Sequence, residues 1–137
     1  MNCFVLDASF ILSAILEYRL DASKKIKDIY KQADHGKTEI YSIPLLPLEV
    51  ANGLRFQLRD EKKALLFLEK FSGLSIRYLS STPNQVSEIL TLSYKLQTTV
   101  YDTSYHFLAI VLDGIFLTCD REYFHKAKKL GFIELVI

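Results

Sequence analysis

The chain opens with an apolar segment that ends in a carboxylate, Asn2-Cys3-Phe4-Val5-Leu6-Asp7. A segment of the same kind lies near the other end of the chain, Ile115-Phe116-Leu117-Thr118-Cys119-Asp120. Short continuous apolar runs are typical of strands in parallel sheets, which are buried on both faces. We therefore expect strands at 3–6 and 115–118, and an acidic side chain just beyond the end of each.

Strand-like and helical segments alternate between these two runs and after them. Further strands are expected at 39–43, 75–79 and 132–136. Helices are expected to begin near Ala8, Asp21, Leu48, Asp60, Thr82, Asp102 and Asp120. Glycines mark where four of the helices or helical segments end: Gly36, Gly73, Gly114 and Gly131. This alternation predicts βαβ units, so the fold class is α/β, with a mainly parallel five-stranded sheet covered by helices on both faces.

Length and composition indicate one ordinary globular domain. The chain has 137 residues, of which 50% are hydrophobic and 24% are charged. This is enough to bury a core, and no shift in composition divides the chain, so residues 1–137 are expected to form a single domain. No apolar stretch approaches the roughly 20 residues that span a bilayer. No export signal is recognisable at the N-terminus, and a cytoplasmic protein without membrane association is expected.

Charge and cysteine content exclude some classes of function. The net charge of +1 gives no overall attraction to nucleic acid, so binding of nucleic acid would depend on local basic patches. Two cysteines, Cys3 and Cys119, and three histidines are too few and too widely spaced for a structural zinc site. Buried free thiols are the expected state of the cysteines. A disulfide is the alternative if their strands are neighbours.

Four acidic residues, hereafter the acidic quartet, fall where a strand ends or a helix begins: Asp7, Glu49, Asp102 and Asp120. In an open parallel sheet, ligands bind beyond the carboxyl ends of the strands, so residues far apart in sequence meet there. Carboxylates so close together repel one another unless a cation or shared protons relieve them. Oxygen-only ligands suit Mg²⁺ and Mn²⁺. Two such ions about 4 Å apart would support hydrolysis of a phosphodiester.

Each of these residues also has a purely structural interpretation. Asp7, Asp102 and Asp120 are good helix N-caps, and Glu49 favours the dipole of the helix that it begins. Ser9 is an alternative cap that would leave Asp7 free to bind a ligand. What argues for a site is the set, because four acidic groups at one edge of a sheet share no structural purpose.

Several nearby residues are candidates for supporting roles. The hydroxyls of Ser9 and Thr118 are placed to orient a ligand or a metal-bound water. Asn52 lies one helical turn after Glu49, where an outer-sphere role and a plain local hydrogen bond fit equally well. His106 is expected on a helix surface without a function. Basic residues could contact phosphates, although solvated charge is the simpler interpretation: Arg55, Arg59, Lys126, Lys128 and Lys129.

Taken together, these segments resemble the PIN domain, and the compact chain resembles the VapC-type ribonuclease toxins of type II toxin–antitoxin systems. The similarity runs in family order over essentially the whole chain. The matching segments are Val5-Leu6-Asp7-Ala8-Ser9, Leu48-Glu49-Val50-Ala51-Asn52-Gly53-Leu54, Tyr101-Asp102-Thr103-Ser104-Tyr105 with Leu108-Ala109, and Leu117-Thr118-Cys119-Asp120-Arg121. His106 and Phe107 depart from the pattern, which more often has aliphatic or small residues there.

The resemblance implies a three-layer α/β/α fold and a Mg²⁺- or Mn²⁺-dependent endoribonuclease. The acidic quartet would supply both the catalytic residues and the metal ligands, with Ser9 and Thr118 close by. The resemblance also implies a homodimer, a cognate antitoxin that covers the site, and a structured RNA substrate such as tRNA or a loop of ribosomal RNA.

Other functions remain as alternatives. One is a PIN-type nuclease that processes RNA and is not a toxin. Another is a non-catalytic doubly wound binding module of the receiver type, which would need an adjacent acidic pair after the first strand, where only Asp7 stands. A haloacid-dehalogenase-like phosphatase would need an aspartate at the position of Ser9.

Overall fold

The structure is a computed structural model that describes residues 2–137. Five strands form one sheet in the order β3-β2-β1-β4-β5, and every neighbouring pair is parallel. The strands are β1 (Asn2–Leu6), β2 (Thr38–Ser42), β3 (Arg77–Tyr78), β4 (Ile115–Thr118) and β5 (Ile133–Leu135). The predicted α/β class is confirmed, and the sheet is parallel throughout.

Helices connect the strands and flank the sheet. They are α1 (Ala8–Ile15), α2 (Leu20–Asp34), α3 (Leu46–Gln57), α4 (Glu61–Ser72), α5 (Pro83–Leu96), α6 (Val100–Val111) and α7 (Arg121–Ala127), which continues into a 3₁₀ turn at Lys128–Leu130. Successive strand residues point to opposite faces of a sheet. Val5 and Leu6 are both fully buried, as are Phe116 and Leu117, so helices cover both faces of the sheet at its centre.

The strand register brings the two opening segments of the sequence together. Leu6 of β1 pairs with Leu117 of β4 in the parallel ladder. The residues that follow them, Asp7 just after β1 and Thr118 at the end of β4, therefore lie side by side at the carboxyl edge of the sheet. A close approach of the same two strands begins at Gly114, where an added Cβ would lie 2.7 Å from the carbonyl oxygen of Cys3.

Several predicted boundaries are confirmed and others are wrong. Strand β4 has the predicted bounds, and Asp60, Thr82 and Asp120 cap α4, α5 and α7. Asp102, however, does not cap α6. The cap is Thr99, whose hydroxyl accepts from the backbone N–H of Asp102, so the helix begins earlier than predicted. Threonine caps almost as well as aspartate, and the sequence offered both.

Other elements differ in length from the predictions. Helix α1 ends at Ile15, and α2 begins at Leu20 without a side-chain cap, so Asp21 lies inside its first turn rather than at its cap. Helix α3 begins at Leu46, and β3 is only two residues long. Both cysteines are free, as predicted, with Cys119 buried and Cys3 half-buried. Within residues 2–137, every helix is too short or too polar to cross a bilayer.

Candidate metal centre

Asp7 lies at the carboxyl end of β1 and is buried, with 8% of its surface exposed. Its Oδ1 accepts hydrogen bonds from the hydroxyl of Ser9 (2.7 Å) and the backbone N–H of Phe10 (2.9 Å). Its Oδ2 accepts from the hydroxyl of Thr118 (2.6 Å). The bond from Phe10 makes Asp7 the N-cap of α1, so the suggestion that Ser9 caps in its place is wrong. The Asp7 carboxylate is therefore both the N-cap of α1 and a candidate metal ligand.

The surroundings of Asp7 destabilise the charged form of its carboxyl group. Burial raises the pKa of this carboxyl group from 3.8 to about 7, although hydrogen bonds from Thr118, Phe10 and Ser9 lower it. The Asp102 carboxylate raises it further. A buried carboxyl group that titrates near neutrality beside another carboxylate would gain from a cation, which stabilises the charged form.

Ser9 and Thr118 join the ends of β1 and β4. Their hydroxyl oxygens are 3.1 Å apart, and each donates its single hydrogen to Asp7. Ser9 Oγ also accepts from the backbone N–H of Cys119 (3.0 Å), and Thr118 Oγ1 accepts from that of Asp120 (3.1 Å). The two hydroxyls therefore hold Asp7 in place and also fix the backbone that leads into Asp120.

Glu49 lies in the first turn of α3 and is half-buried. Its Oε1 accepts a hydrogen bond from the hydroxyl of Tyr105 on α6, whose side chain is almost fully buried. Sequence reasoning did not single out Tyr105. The spacing could have indicated it, because Tyr105 lies three positions after Asp102 and therefore on the same face of the helix.

Asp102 and Asp120 begin the last two helices. Asp102 is in the first turn of α6, where burial raises the pKa of its carboxyl group and the charges of Asp120 and Glu49 raise it too. Asp120 is the N-cap of α7, and its Oδ1 accepts from the backbone N–H of Tyr123 (3.0 Å). Asp102 thus interacts with Asp120 and Glu49, and it acts in turn on Asp7. The quartet shares one electrostatic environment.

No basic side chain forms an ion pair with a member of the quartet in the part of the chain that the structure describes. Three ion pairs occur within residues 2–137, namely Lys25–Glu134, Arg77–Glu39 and Lys126–Glu122, and none includes a member of the quartet. Carboxylates that repel one another without a cationic partner form an edge suited to a bound cation.

The free oxygen atoms of the quartet are of the type that hard divalent cations prefer. Glu49 and Asp120 each have one carboxylate oxygen held by a hydrogen bond, while no bond from residues 2–137 reaches the other oxygen. Oxygen donors of this kind suit Mg²⁺ and Mn²⁺. Within the same residues, no three His, Cys, Asp or Glu side chains lie close enough to hold a single ion. The assignment of the quartet as metal ligands therefore stays a prediction.

A cleft of about 230 Å³ adjoins two members of the quartet. Asp102 and Asp120 line one side, and Thr99, Tyr123 and Lys126 contribute to the rest. One water occupies about 30 Å³ in the liquid, so the cleft has room for a hydrated ion or a phosphate group.

The other candidate residues are less closely tied to the quartet. Asn52 is exposed and makes no side-chain hydrogen bond within the described residues, so its supporting role stays a prediction. Arg55 and Arg59 line a groove between α3 and α4 rather than the acidic cleft. Lys126 does reach the cleft, where its Nζ donates to the carbonyl oxygen of Gln97 (2.9 Å).

His106 is fully buried, so the expectation that it lies on a helix surface is wrong. Its Nε2 is 2.8 Å from the carbonyl oxygen of Gly131, and its Nδ1 is 2.9 Å from the hydroxyl of Tyr123. A carbonyl only accepts, so Nε2 carries the proton and Nδ1 accepts from Tyr123. Burial lowers the pKa of His106 below 6.5, which keeps the ring neutral. The ring links α6 to α7. Because its partners are distant in sequence, nothing near His106 in the sequence indicated that the ring would be buried.

Comparisons with known proteins agree with this fold. The sequence matches the family model of the PIN domain over residues 4–130. The chain is similar to PAE2754 from Pyrobaculum aerophilum, whose crystal structure superposes with a TM-score of 0.65 at 25% identity, covering 91% of this chain and 86% of that chain. No curated protein matches the sequence.

A second solved structure supports the fold alone, because its sequence identity is low. It is a chain from the crystal structure of VapBC2 from Rickettsia felis bound to a DNA fragment from their promoter. The TM-score is 0.71 at 13% identity, and the similarity covers 98% of this chain and 99% of that chain. The family match spans residues 4–6 of β1 and all of β2, β3 and β4, and it includes the four carboxylates of the quartet. The chain belongs to the PIN-domain family.

Proposed function

We propose that the protein is a Mg²⁺- or Mn²⁺-dependent endoribonuclease that acts as the toxin of a toxin–antitoxin pair. The observation that carries the proposal is the acidic quartet, which a PIN domain brings to one electrostatic environment without a basic partner among residues 2–137. Asp7, Glu49, Asp102 and Asp120 would hold the ion. When bound, such an ion polarises a phosphodiester and lowers the pKa of a coordinated water.

The remaining groups hold the carboxylates in place for that chemistry. Ser9, Thr118 and the N–H of Phe10 fix Asp7 before a substrate arrives. The backbone N–H of Tyr123 does the same for Asp120. Catalytic groups that are oriented in advance need little reorganisation during the reaction, and this preorganisation accounts for much of an enzyme's rate.

Electrostatics favour an RNA strand that binds together with the ion rather than to the bare protein. The net charge of +1 offers no general attraction, and the quartet repels phosphate. Lys126 lies in the cleft with Asp102 and Asp120, where it could contact a backbone phosphate. Structured RNA, either tRNA or a loop of ribosomal RNA, is the substrate that we propose from the resemblance to the VapC-type toxins.

A protein partner is supported by exposed apolar side chains on the α3–α4 pair. Leu48, Phe56, Leu65 and Leu66 are between 58% and 78% exposed. Exposed apolar side chains that form a contiguous patch mark interaction sites. Together with the resemblance to the VapC-type toxins, it supports a cognate antitoxin as the partner, and we propose a homodimer as the form that the antitoxin inhibits.

Cleavage of purified RNA tests the nuclease. Wild type and Asp7→Asn are incubated with total tRNA and ribosomal RNA in Mn²⁺ or in EDTA, and the new ends are mapped. We expect cleavage by the wild type only with metal, and none by Asp7→Asn. Asp34→Asn, which changes an exposed carboxylate at the end of α2, is the matched control and should cleave normally. Full activity of Asp7→Asn, or cleavage in EDTA, would contradict the proposal.

Expression in cells separates a toxin from an RNA-processing nuclease. We expect the wild type to arrest growth, Asp7→Asn to be harmless, and a neighbouring antitoxin gene to restore growth. If the purified protein cleaves RNA but its expression leaves growth unaffected, the RNA-processing alternative is correct.

A further inference from the structure

We propose that Tyr105 is a positioning residue for Glu49, whose Oε1 it holds by a hydrogen bond while leaving Oε2 available to a cation. The inference rests on the metal site of the proposed function and adds a residue that belongs to neither the quartet nor its predicted supporting set. The bond joins α3 to α6 across 56 positions of sequence.

The ring of Tyr105 is fixed by its packing. Its side chain is 1% exposed, and it stacks on Phe116 of β4 with ring centroids 6.0 Å apart and planes 9° from parallel. Phe116 is itself 1% exposed in the middle of the sheet. The position of the hydroxyl is therefore set by α6 and β4, the elements that also carry Asp102 and Thr118.

The hydroxyl of Tyr105 acts as a donor. Burial raises the pKa of this phenol far above its usual value, and the neighbouring carboxylates of Glu49, Asp7 and Asp102 raise it further. The phenol therefore keeps its proton, and the acceptor is the Glu49 carboxylate. Within residues 2–137, no buried side-chain oxygen or nitrogen lacks a hydrogen-bond partner, so this donor is fully engaged.

Glu49 needs such a constraint more than the other members of the quartet. Its side chain is longer than that of aspartate, and its helix α3 packs on α1 and α4. Asp7 and Asp120 are instead held by bonds to backbone N–H groups beside them in sequence. Tyr105 removes rotational freedom that the glutamate would otherwise lose on binding an ion, a role that outer-sphere partners commonly have in metal sites.

Manganese affinity of a hydroxyl-deletion variant tests the inference without relying on catalysis. Tyr105→Phe keeps the ring and its stacking but removes the donor. We expect its Mn²⁺ dissociation constant, measured by calorimetry, to rise roughly 10-fold or more above that of the wild type. Tyr30→Phe is the matched control, because the Tyr30 hydroxyl donates to the carbonyl oxygen of Ser75 (3.1 Å) rather than to a carboxylate. Its affinity should be unchanged.

The outcomes distinguish this inference from the proposed function. If Tyr105→Phe binds Mn²⁺ as tightly as the wild type, or if Tyr30→Phe weakens binding equally, Tyr105 has no positioning role. If the wild type binds no Mn²⁺, the metal site of the proposed function is refuted, and the inference with it. A crystal structure of the wild type with Mn²⁺ gives a test that needs no variant. We expect the Tyr105–Glu49 bond to persist there, and a glutamate turned away from Tyr105 would overturn the inference.

Discussion

Asp7 combines two tasks that usually fall to different residues. It caps α1 through Oδ1, and it is a buried acidic group whose charge the surroundings disfavour. A group with a raised pKa in the folded state binds its proton more tightly than in the unfolded state. Its contribution to stability is therefore fully present below the unfolded value of 3.8 and is lost as the pH rises through about 7.

Asp7→Asn should consequently stabilise the metal-free protein more at pH 8 than at pH 5. Asparagine remains a good N-cap and cannot ionise. One pKa unit corresponds to about 1.4 kcal/mol, so we expect the advantage of the variant to grow by roughly 2 kcal/mol between these pH values. Urea denaturation in EDTA measures it, with Asp34→Asn as the control. An advantage that does not change with pH would show that burial does not penalise this charge.

At the residue scale, the sequence pointed to the acidic quartet, whose role as metal ligands stays a prediction, more readily than to the buried side chains around it. Asp7 and Asp120 stood out because each closes an apolar strand segment. The hydrogen bonds of Tyr105 and His106 could not be read from the sequence, because their partners are distant. Glu49 lies 56 positions from Tyr105, and Tyr123 and Gly131 lie 17 and 25 positions from His106. An aromatic ring or a neutral histidine inside a helix gives no local sign of a tertiary hydrogen bond.

Helix α6 is the element on which the candidate site depends most. It carries Asp102 in its first turn, Tyr105 one turn later and His106 beside it. Its N-terminus is held by Thr99, whose hydroxyl accepts from the backbone N–H of Asp102 (3.0 Å). A side-chain hydrogen bond from Thr99 also lowers the pKa of the Asp102 carboxyl group, against the larger opposite effect of burial.

Loss of this cap should weaken stability and metal binding together. We expect Thr99→Ala to lower the free energy of unfolding by about 1 kcal/mol, the usual cost of removing a threonine cap. Thr82→Ala removes the equivalent cap from α5, which carries no member of the quartet, and should cost a similar amount. Only Thr99→Ala should weaken Mn²⁺ binding in calorimetry. Equal Mn²⁺ affinities in the two variants would mean that the first turn of α6 does not position Asp102.

The bounds of β4 were easier to predict than the start of α6. β4 was predicted residue for residue, because an apolar run with a glycine before it and a charge after it leaves little choice of register. The start of α6 was predicted three residues late, since Thr99 and Asp102 both have the side chain of a cap. Which of them adopts the extended backbone of a cap is decided by the turn after α5, where Gln97 has a positive φ of 58°.

At the scale of the whole molecule, the site depends on how closely β1 and β4 approach. Gly114 permits that approach, because a Cβ there would meet the carbonyl oxygen of Cys3 at 2.7 Å and its Cβ at 3.0 Å. These atoms belong to the central strand and cannot swing aside as the end of a long side chain can.

Gly114→Ala should therefore destabilise the protein by at least the roughly 1–3 kcal/mol that is typical of overpacking a core. Gly73→Ala is the matched control. Gly73 has a φ of −76° and its nearest neighbouring atom, the carbonyl oxygen of Lys70, would be 3.5 Å from the new Cβ. That variant should be neutral or slightly more stable, because alanine restricts the unfolded chain. Urea midpoints compare the two, and an undiminished midpoint for Gly114→Ala would show that the strands can separate at little cost.

The strand order determines when the candidate site can be completed during synthesis on the ribosome. β1 is translated first but sits between β2 and β4, so one of its flanks stays open until Ile115–Thr118 has emerged. Asp120 follows two residues later. A nascent chain therefore carries an incomplete set of carboxylates until Asp120 has been translated. The ribosome that makes the protein meets a complete acidic edge only after that point.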